Sequence, residues 1–309
     1  MVSDMHGARF SHLRPMDFGE ILDHSIQIMK KGWKPLLLSG LISIIPVVLS
    51  SGLFTAMMPT TAATRTNFTT NWFFRAILQA DQGNFADLLE LGGIFTVLML
   101  ITVLLGLWLH AAMIVSASRT YLGLPVTFRS SLAAAGRRYP ALLGTGLLML
   151  LFAILASIGL AIVGLGFFSL FTILIGLGVL KVYTAFVNHA LIIEDVDGGM
   201  APIKRSFRLV NGRFWPLLGL GIVFSLFSSA LSSQIQFITQ IPLQWLMTFG
   251  LTPSAVPLLG WLLACLMGLI TAVISPLTYT AMTLAYYDTR IRKEGLDLEM
   301  MASSGAEPR

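Results

Sequence analysis

The sequence predicts an all-α integral membrane protein: about six transmembrane helices in three hairpins, each hairpin preceded by an amphipathic helix at the cytoplasmic interface. Three observations predict it: too little charge for a water-exposed surface, long apolar runs alternating with basic connections, and a segment that recurs three times. Of 309 residues, 55% are apolar and 11% are charged, against about 25% charged in an average soluble domain. Mean hydropathy is +0.80. A soluble chain of this composition could not cover its own surface, so lipid must cover most of it. The net charge of +5 comes from residues that flank apolar runs, which points to anionic lipid headgroups rather than nucleic acid. The single cysteine, Cys265, excludes an intrachain disulfide and a cysteine metal site, and it reads as a buried, inert thiol.

Spans of about 20 apolar residues are expected at Pro35–Met57, Leu91–Ser118, Ala141–Ile162, Phe168–Leu191, Trp215–Phe237 and Val256–Tyr287. The first lies behind a charged stretch too long for a signal-peptide n-region, so it reads as a retained span. No charge occurs between Pro140 and Leu180, a stretch about twice one crossing. The chain must therefore turn over within it, and Gly164-Leu165-Gly166 is the natural hairpin. The last run is long and contains Pro276, which predicts a tilt or kink.

Orientation follows from Lys and Arg. Arg9, Arg14, Lys30, Lys31 and Lys34 precede the first span, and Arg119, Arg129, Arg137 and Arg138 join the second to the third. Lys204, Arg205, Arg208 and Arg213 join the fourth to the fifth, and Arg290, Arg292, Lys293 and Arg309 follow the last. These segments hold 17 of the 20 basic residues, which predicts six spans with both termini cytoplasmic. The sizeable outer loop, about Pro59 to Glu90, holds Asn67-Phe68-Thr69, a weak match to a glycosylation acceptor.

Offsets of 106 and then 75 residues superpose Ser25, Ser131 and Ser206; aromatic Trp33, Tyr139 and Phe214; and Gly40, Gly146 and Gly221. Low complexity could align leucines, but not serine, aromatic and glycine together. Each repeat reads as a short amphipathic helix, a basic and aromatic boundary, then a span. In the first, Asp17 and Glu20 can form a capping box, and Lys30, Lys31 and Gly32 end the helix. In the second, Thr127 caps a helix with Phe128, Leu132 and Ala135 on one face. In the third, Pro202 suits the first turn, and Ile203, Phe207, Val210 and Phe214 form the apolar stripe. Such helices lie in the interface plane, apolar side toward the acyl boundary. The domain organisation expected is one polytopic domain over 1–298, with units of about 15–118, 126–192 and 201–288, and a disordered cytoplasmic tail, 299–309.

Two sets of residues are candidates for function. Lys30, Lys31, Arg137, Arg138, Lys204, Arg205, Arg208 and Arg213 sit where lipid headgroups are expected. His110, Lys181, Asn188, His189 and Ser233 are polar within or near predicted spans. Lys181 is the one basic residue inside a span, and such a charge is functional by default unless it snorkels to the interface. His110 fits an interhelical hydrogen bond better than a proton relay. The Ser/Gln run from Ser228 to Gln240 could line a cavity or pack helices. Asn188 and His189 with Lys181 make no metal pattern. Glu194, Asp195 and Asp197 lie in a loop rich in Lys and Arg, where pairing with Lys204 and Arg205 is expected rather than catalysis. No phosphate loop is present.

The tail Tyr286-Tyr287-Asp288-Thr289-Arg290-Ile291-Arg292-Lys293-Glu294-Gly295, the opening Pro15-Met16-Asp17-Phe18-Gly19-Glu20-Ile21-Leu22-Asp23 and the run Ile203 to Val210 resemble bacterial proteins with the membrane domain named for glycerophosphoryl diester phosphodiesterases. The resemblance extends from about Pro15 to Leu298. In some members that domain precedes a soluble phosphodiesterase barrel. No long soluble segment in this sequence could hold one, so phosphodiesterase activity does not follow, and no functional residues carry over. The expectation is a non-enzymatic, cofactor-free, multi-pass protein of a bacterial cytoplasmic membrane, organising anionic lipid or a membrane or cytoplasmic protein partner at its cytoplasmic face. The alternative is a permease for a small or lipidic solute that uses Lys181, His110 and the Ser/Gln-rich fifth span.

Overall fold

The computed structural model describes residues 14–57, 85–163, 169–226, 229, 255–296 and 298, and no strand occurs among them. In chain order the helices are α1 (Phe18–Lys31), α2 (Trp33–Met57), α3 (Phe85–Tyr121), α4 (Phe128–Arg137), α5 (Tyr139–Val163), α6 (Ser169–Tyr183), α7 (Val187–Ile193), α8 (Met200–Val210), α9 (Phe214–Leu226) and α10 (Ala255–Glu294). Four stretches are long and apolar enough to cross a membrane: Thr96–Tyr121, Tyr139–Ile162, Leu170–Ile193 and Cys265–Glu294. Two bent pairs raise the number of candidate spans to six. In these, α1 meets Trp33–Leu49 at 91°, and α8 meets α9 at 102°.

Among the described residues the chain divides into two compact units. One comprises Met1–Gly40, Leu107–Phe227 and Val273–Arg309, the other Leu41–Gly106 and Ser228–Ala272. The first holds nearly all the charge and the larger part of the buried core.

Local chemistry explains the short helices. At the start of α1, the Asp17 N–H donates to Glu20 Oε2 at 3.1 Å, and Arg14 donates to Glu20 Oε1 at 2.7 Å. The Asp17 amide, and then Arg14, hold the Glu20 carboxyl below the usual carboxylate range. At the start of α4, Ser130 N donates to Thr127 Oγ1, and Thr127 N donates to Ser130 Oγ, both at 3.2 Å. Both caps match the expected positions. Gly32 closes α1 with φ −102°, so left-handed backbone is not its reason for being there. A Cβ would stand 2.6 Å from Thr120 Oγ1. Glycine allows this close approach of the chain to α3.

The fourth span is not the single helix expected. Residues 184–186 interrupt it between α6 and α7. The Ala185 N–H turns to Val182 O at 3.2 Å, and the Val187 N–H to Thr184 O at 3.2 Å. These tightened bonds strand the Tyr183 carbonyl and the Phe186 N–H. The last helix continues through Pro276 and runs about two turns past Tyr287, the end expected for it. The extension is sustained by pairs at i,i+4: Arg292 to Asp288 at 2.9 Å, and Arg290 to Glu294 at 3.1 Å.

Two glycines act as packing surfaces within spans. At Gly176 a Cβ would overlap Leu160 Cδ1, and at Gly268 it would overlap Ile44 Cγ2. Leucine can swing its branch end aside, whereas β-branched isoleucine is stiff at χ1. Gly268→Ala should therefore cost about 1–3 kcal/mol and Gly176→Ala clearly less, measured by thermal unfolding of the two variants in the same detergent.

Candidate functional site

The end of α10 organises the first unit. Apolar periodicity carries the helix to Tyr287. The next turns present one polar residue after another to a different neighbour. Tyr286 is buried and its hydroxyl donates to Glu194. The Tyr287 hydroxyl shares a 2.7 Å hydrogen bond with Ser118 of α3. Asp288, 1% exposed, accepts from the Met16 N–H at 2.8 Å, from Arg213 at 2.7 Å and from Arg292 at 2.9 Å. Arg292 also donates to the Met16 carbonyl at 2.9 Å. Lys293 donates to the carbonyls of Arg208 (3.0 Å) and Asn211, so a cation closes the C-terminus of α8. The entry to α1, the end of α3, the α7–α8 connection and both ends of the α8–α9 turn thus meet on one stretch of α10.

Beside it lies a charge network. Arg205 donates to Glu194 through Nε at 2.7 Å and Nη2 at 2.8 Å, and to Glu294 through Nη1 and, at 2.6 Å, through Nη2. Arg290 reaches Glu194 at 3.3 Å. Burial disfavours the Arg205 charge, but the hydrogen bonds it donates to Glu294 and Glu194 outweigh that and raise its pKa above the ordinary value. The expected Glu194–Arg205 pair is therefore present. Asp195 pairs with Arg138 instead, and Asp195 carries the left-handed φ of 63° that the tight turn into α8 requires.

The serines aligned by the sequence offsets, Ser25, Ser131 and Ser206, are each 0% exposed, and each is used differently. Ser206 Oγ donates to Tyr183 O at 2.6 Å and accepts from Phe186 N at 3.2 Å. These are the two groups stranded by the break between α6 and α7. Ser131 accepts from Ser116 Oγ of α3 at 2.9 Å, and Trp108 Nε1 donates to Leu132 O at 3.1 Å. Ser25 donates only within its own turn, to Leu22 O at 2.7 Å.

The eight cations expected at headgroups separate into two kinds. Lys30, Lys31, Arg137, Lys204 and Arg208 are exposed, and none forms a salt bridge among the described residues. Arg138, Arg205 and Arg213 instead pair with Asp195, Glu194 and Glu294, and Asp288. For these three a protein carboxylate already supplies a counter-charge, the enclosed Asp288 for Arg213 and the exposed Asp195 for Arg138. The stripe expected on α8 also divides. Ile203 and Val210 are buried against the protein, whereas Phe207 is exposed with its ring stacked on Tyr183 at 4.9 Å.

The four intramembrane candidates among the described residues have different surroundings. The His110 ring stacks on Tyr279 at 4.7 Å. His189 is 3% exposed and stacks on Tyr286 at 5.6 Å, and its ring nitrogens have no hydrogen-bond partner among the described residues. Lys181 is exposed in the last turn of α6, and Asn188 is half-buried in α7. Ser233 lies outside the described residues, as do Asn67 and the hairpin at Gly164-Leu165-Gly166. No cluster of three metal-ligating side chains occurs among the described residues. Sequence reasoning missed the roles of Asp288, Arg290 and Glu294. Their alternating signs at four-residue spacing immediately after an apolar run were the available signal.

Comparison of the chain with protein-family models, with curated proteins and with solved structures returns no match.

Proposed function

We propose that this is a non-enzymatic, multi-pass protein of a bacterial cytoplasmic membrane, both termini cytoplasmic, that gathers anionic lipid at its cytoplasmic face through three interfacial helices, α1, α4 and α8. The reading makes it a relative of the membrane domain named for glycerophosphoryl diester phosphodiesterases. One observation carries the proposal: on all three helices the exposed cations (Lys30 and Lys31, Arg137, Lys204 and Arg208) are left without salt bridges among the described residues, while Glu194, Asp288 and Glu294 are engaged by other arginines. Exposed cations that make no internal ion pair are complementary to phosphate headgroups. Each cation near such a surface is worth about 1 kcal/mol. The right-angle bends of 91° and 102° suit helices that lie along the membrane plane while their neighbours cross it.

Native mass spectrometry of protein released from nanodiscs containing equal phosphatidylglycerol and phosphatidylcholine tests this. Wild type should retain phosphatidylglycerol preferentially. The quadruple variant Lys30→Gln, Lys31→Gln, Lys204→Gln, Arg208→Gln should reduce that preference at least about tenfold. A preference that survives the four substitutions would sink the proposal.

A further inference from the structure

We infer that the exposed apolar flanks of α1 and α8 are wedges in one leaflet, so that the protein partitions toward loosely packed, outwardly curved membrane on the side of its basic face. The inference rests on the interfacial placement proposed above and adds a preference that headgroup charge does not supply.

Both helices have three sides rather than two. At 3.6 residues per turn, Ile21, Ser25 and Ile28 make the buried side of α1. Next around the helix come exposed Phe18 and Ile26, and after them the polar side with Asp23, Gln27 and Lys30. On α8, Ile203, Ser206 and Leu209 lie on the buried side, Met200 and Phe207 are exposed next to it, and Lys204 and Arg208 follow. The order of the sides (protein, exposed apolar, charged) runs in the same sense around both helices.

On each helix a sector of the apolar arc, Phe18 and Ile26 on α1 and Met200 with the exposed edge of Phe207 on α8, is left uncovered beside the charged side. The chain then turns through 91° after α1 and 102° after α8 into apolar helices. At each turn stands an exposed tryptophan, Trp33 at 52% and Trp215 at 77%, the residue type that settles at the headgroup boundary. Lys34 lies 5.8 Å over the Trp33 ring. The uncovered sector is thus continuous with surface that lipid covers, and the cations beside it sit where headgroups would be. The occupant that fits is the acyl boundary of a single leaflet. Helices about 21 Å and 16 Å long, embedded about 5–10 Å deep on one side, add area to that leaflet. Such insertion is sensitive to curvature and packing.

The test uses the 309-residue chain with Asp197→Cys, an exposed position in the α7–α8 connection, in a Cys265→Ala background. It is reconstituted into giant vesicles of phosphatidylcholine alone, from which narrow tubes are pulled outward. Molecules with the connection outside are labelled by an impermeant maleimide. Those with it inside are labelled beforehand, and the outer dye is then quenched. The outside population should be enriched in the tube at least about twofold over the vesicle body, and the inside population depleted. Equal partition of the two populations overturns the inference without any variant. So does a reversal that persists in the triple variant Phe18→Ser, Ile26→Ser, Met200→Ser, whose positions are exposed. Because these vesicles carry no anionic lipid, failure here leaves the phosphatidylglycerol preference standing. Loss of that preference with intact sorting would strike only the headgroup proposal.

Discussion

Asp288→Ala is expected to be the most damaging single change, lowering stability by about 3–5 kcal/mol, the range for breaking a buried ion pair from one side. The carboxylate is almost fully enclosed and answers three donors at once: the Met16 N–H, Arg213 and Arg292. Removing it leaves the Arg213 charge, about one-fifth exposed, without its counter-ion. It also orphans the Met16 amide that fixes the entry to α1. Unfolding by denaturant in detergent measures the loss. The double variant Asp288→Ala, Arg213→Met should recover part of it, because the unpaired charge disappears with its partner. If the double variant is no more stable than Asp288→Ala, the charge is not the cause. Cleavage of the segment before α1 by added protease should rise in the single variant, since its anchor is gone.

Ser206→Ala is the second large effect, about 2–6 kcal/mol, because two stranded backbone groups lose the partner they have among the described residues, at about 1–3 kcal/mol each. The hydroxyl accepts from Phe186 N–H and donates to Tyr183 O, bridging the interruption between α6 and α7. The same substitution at Ser131 and Ser25 should cost less, in a defined order. Ser131→Ala removes one side-chain hydrogen bond, to Ser116, worth about 1 kcal/mol. Ser25→Ala removes a bond to a carbonyl of its own helix turn, where the backbone still supplies a donor, and should be close to neutral. Thermal midpoints of the three alanine variants check the ranking. Equal losses at all three would mean that burial of a small side chain, and not the bridge, is what matters.

These expectations show where the sequence could be read and where it could not. Composition and the spacing of basic connections were enough to predict an all-helical chain with up to six candidate spans, because the cost of exposing apolar helix to water depends on residue type alone. The caps at Asp17 and Thr127 were readable for a similar reason: a short side chain, a backbone amide and a spacing of three residues are all local. Ser25, Ser131 and Ser206 could be marked as equivalent from their offsets. Their different partners could not, since each depends on what another helix places opposite. The tail from Tyr286 to Glu294 could be recognised as a motif without any hint of what it holds.

By itself the sequence determined that this chain is helical and apolar, where α1 and α4 are capped, and which ends of its apolar runs carry charge. Only the tertiary structure decided which charges are free. Arg205 and Arg208 stand three residues apart on one helix, yet the first is held between two carboxylates and the second is exposed. The physical reason is that apolar transfer and local capping are properties of a segment. The fate of a charge is a competition between water, headgroup and a carboxylate that may lie 89 residues away, as Glu294 does from Arg205, and distance in space rather than in sequence settles it.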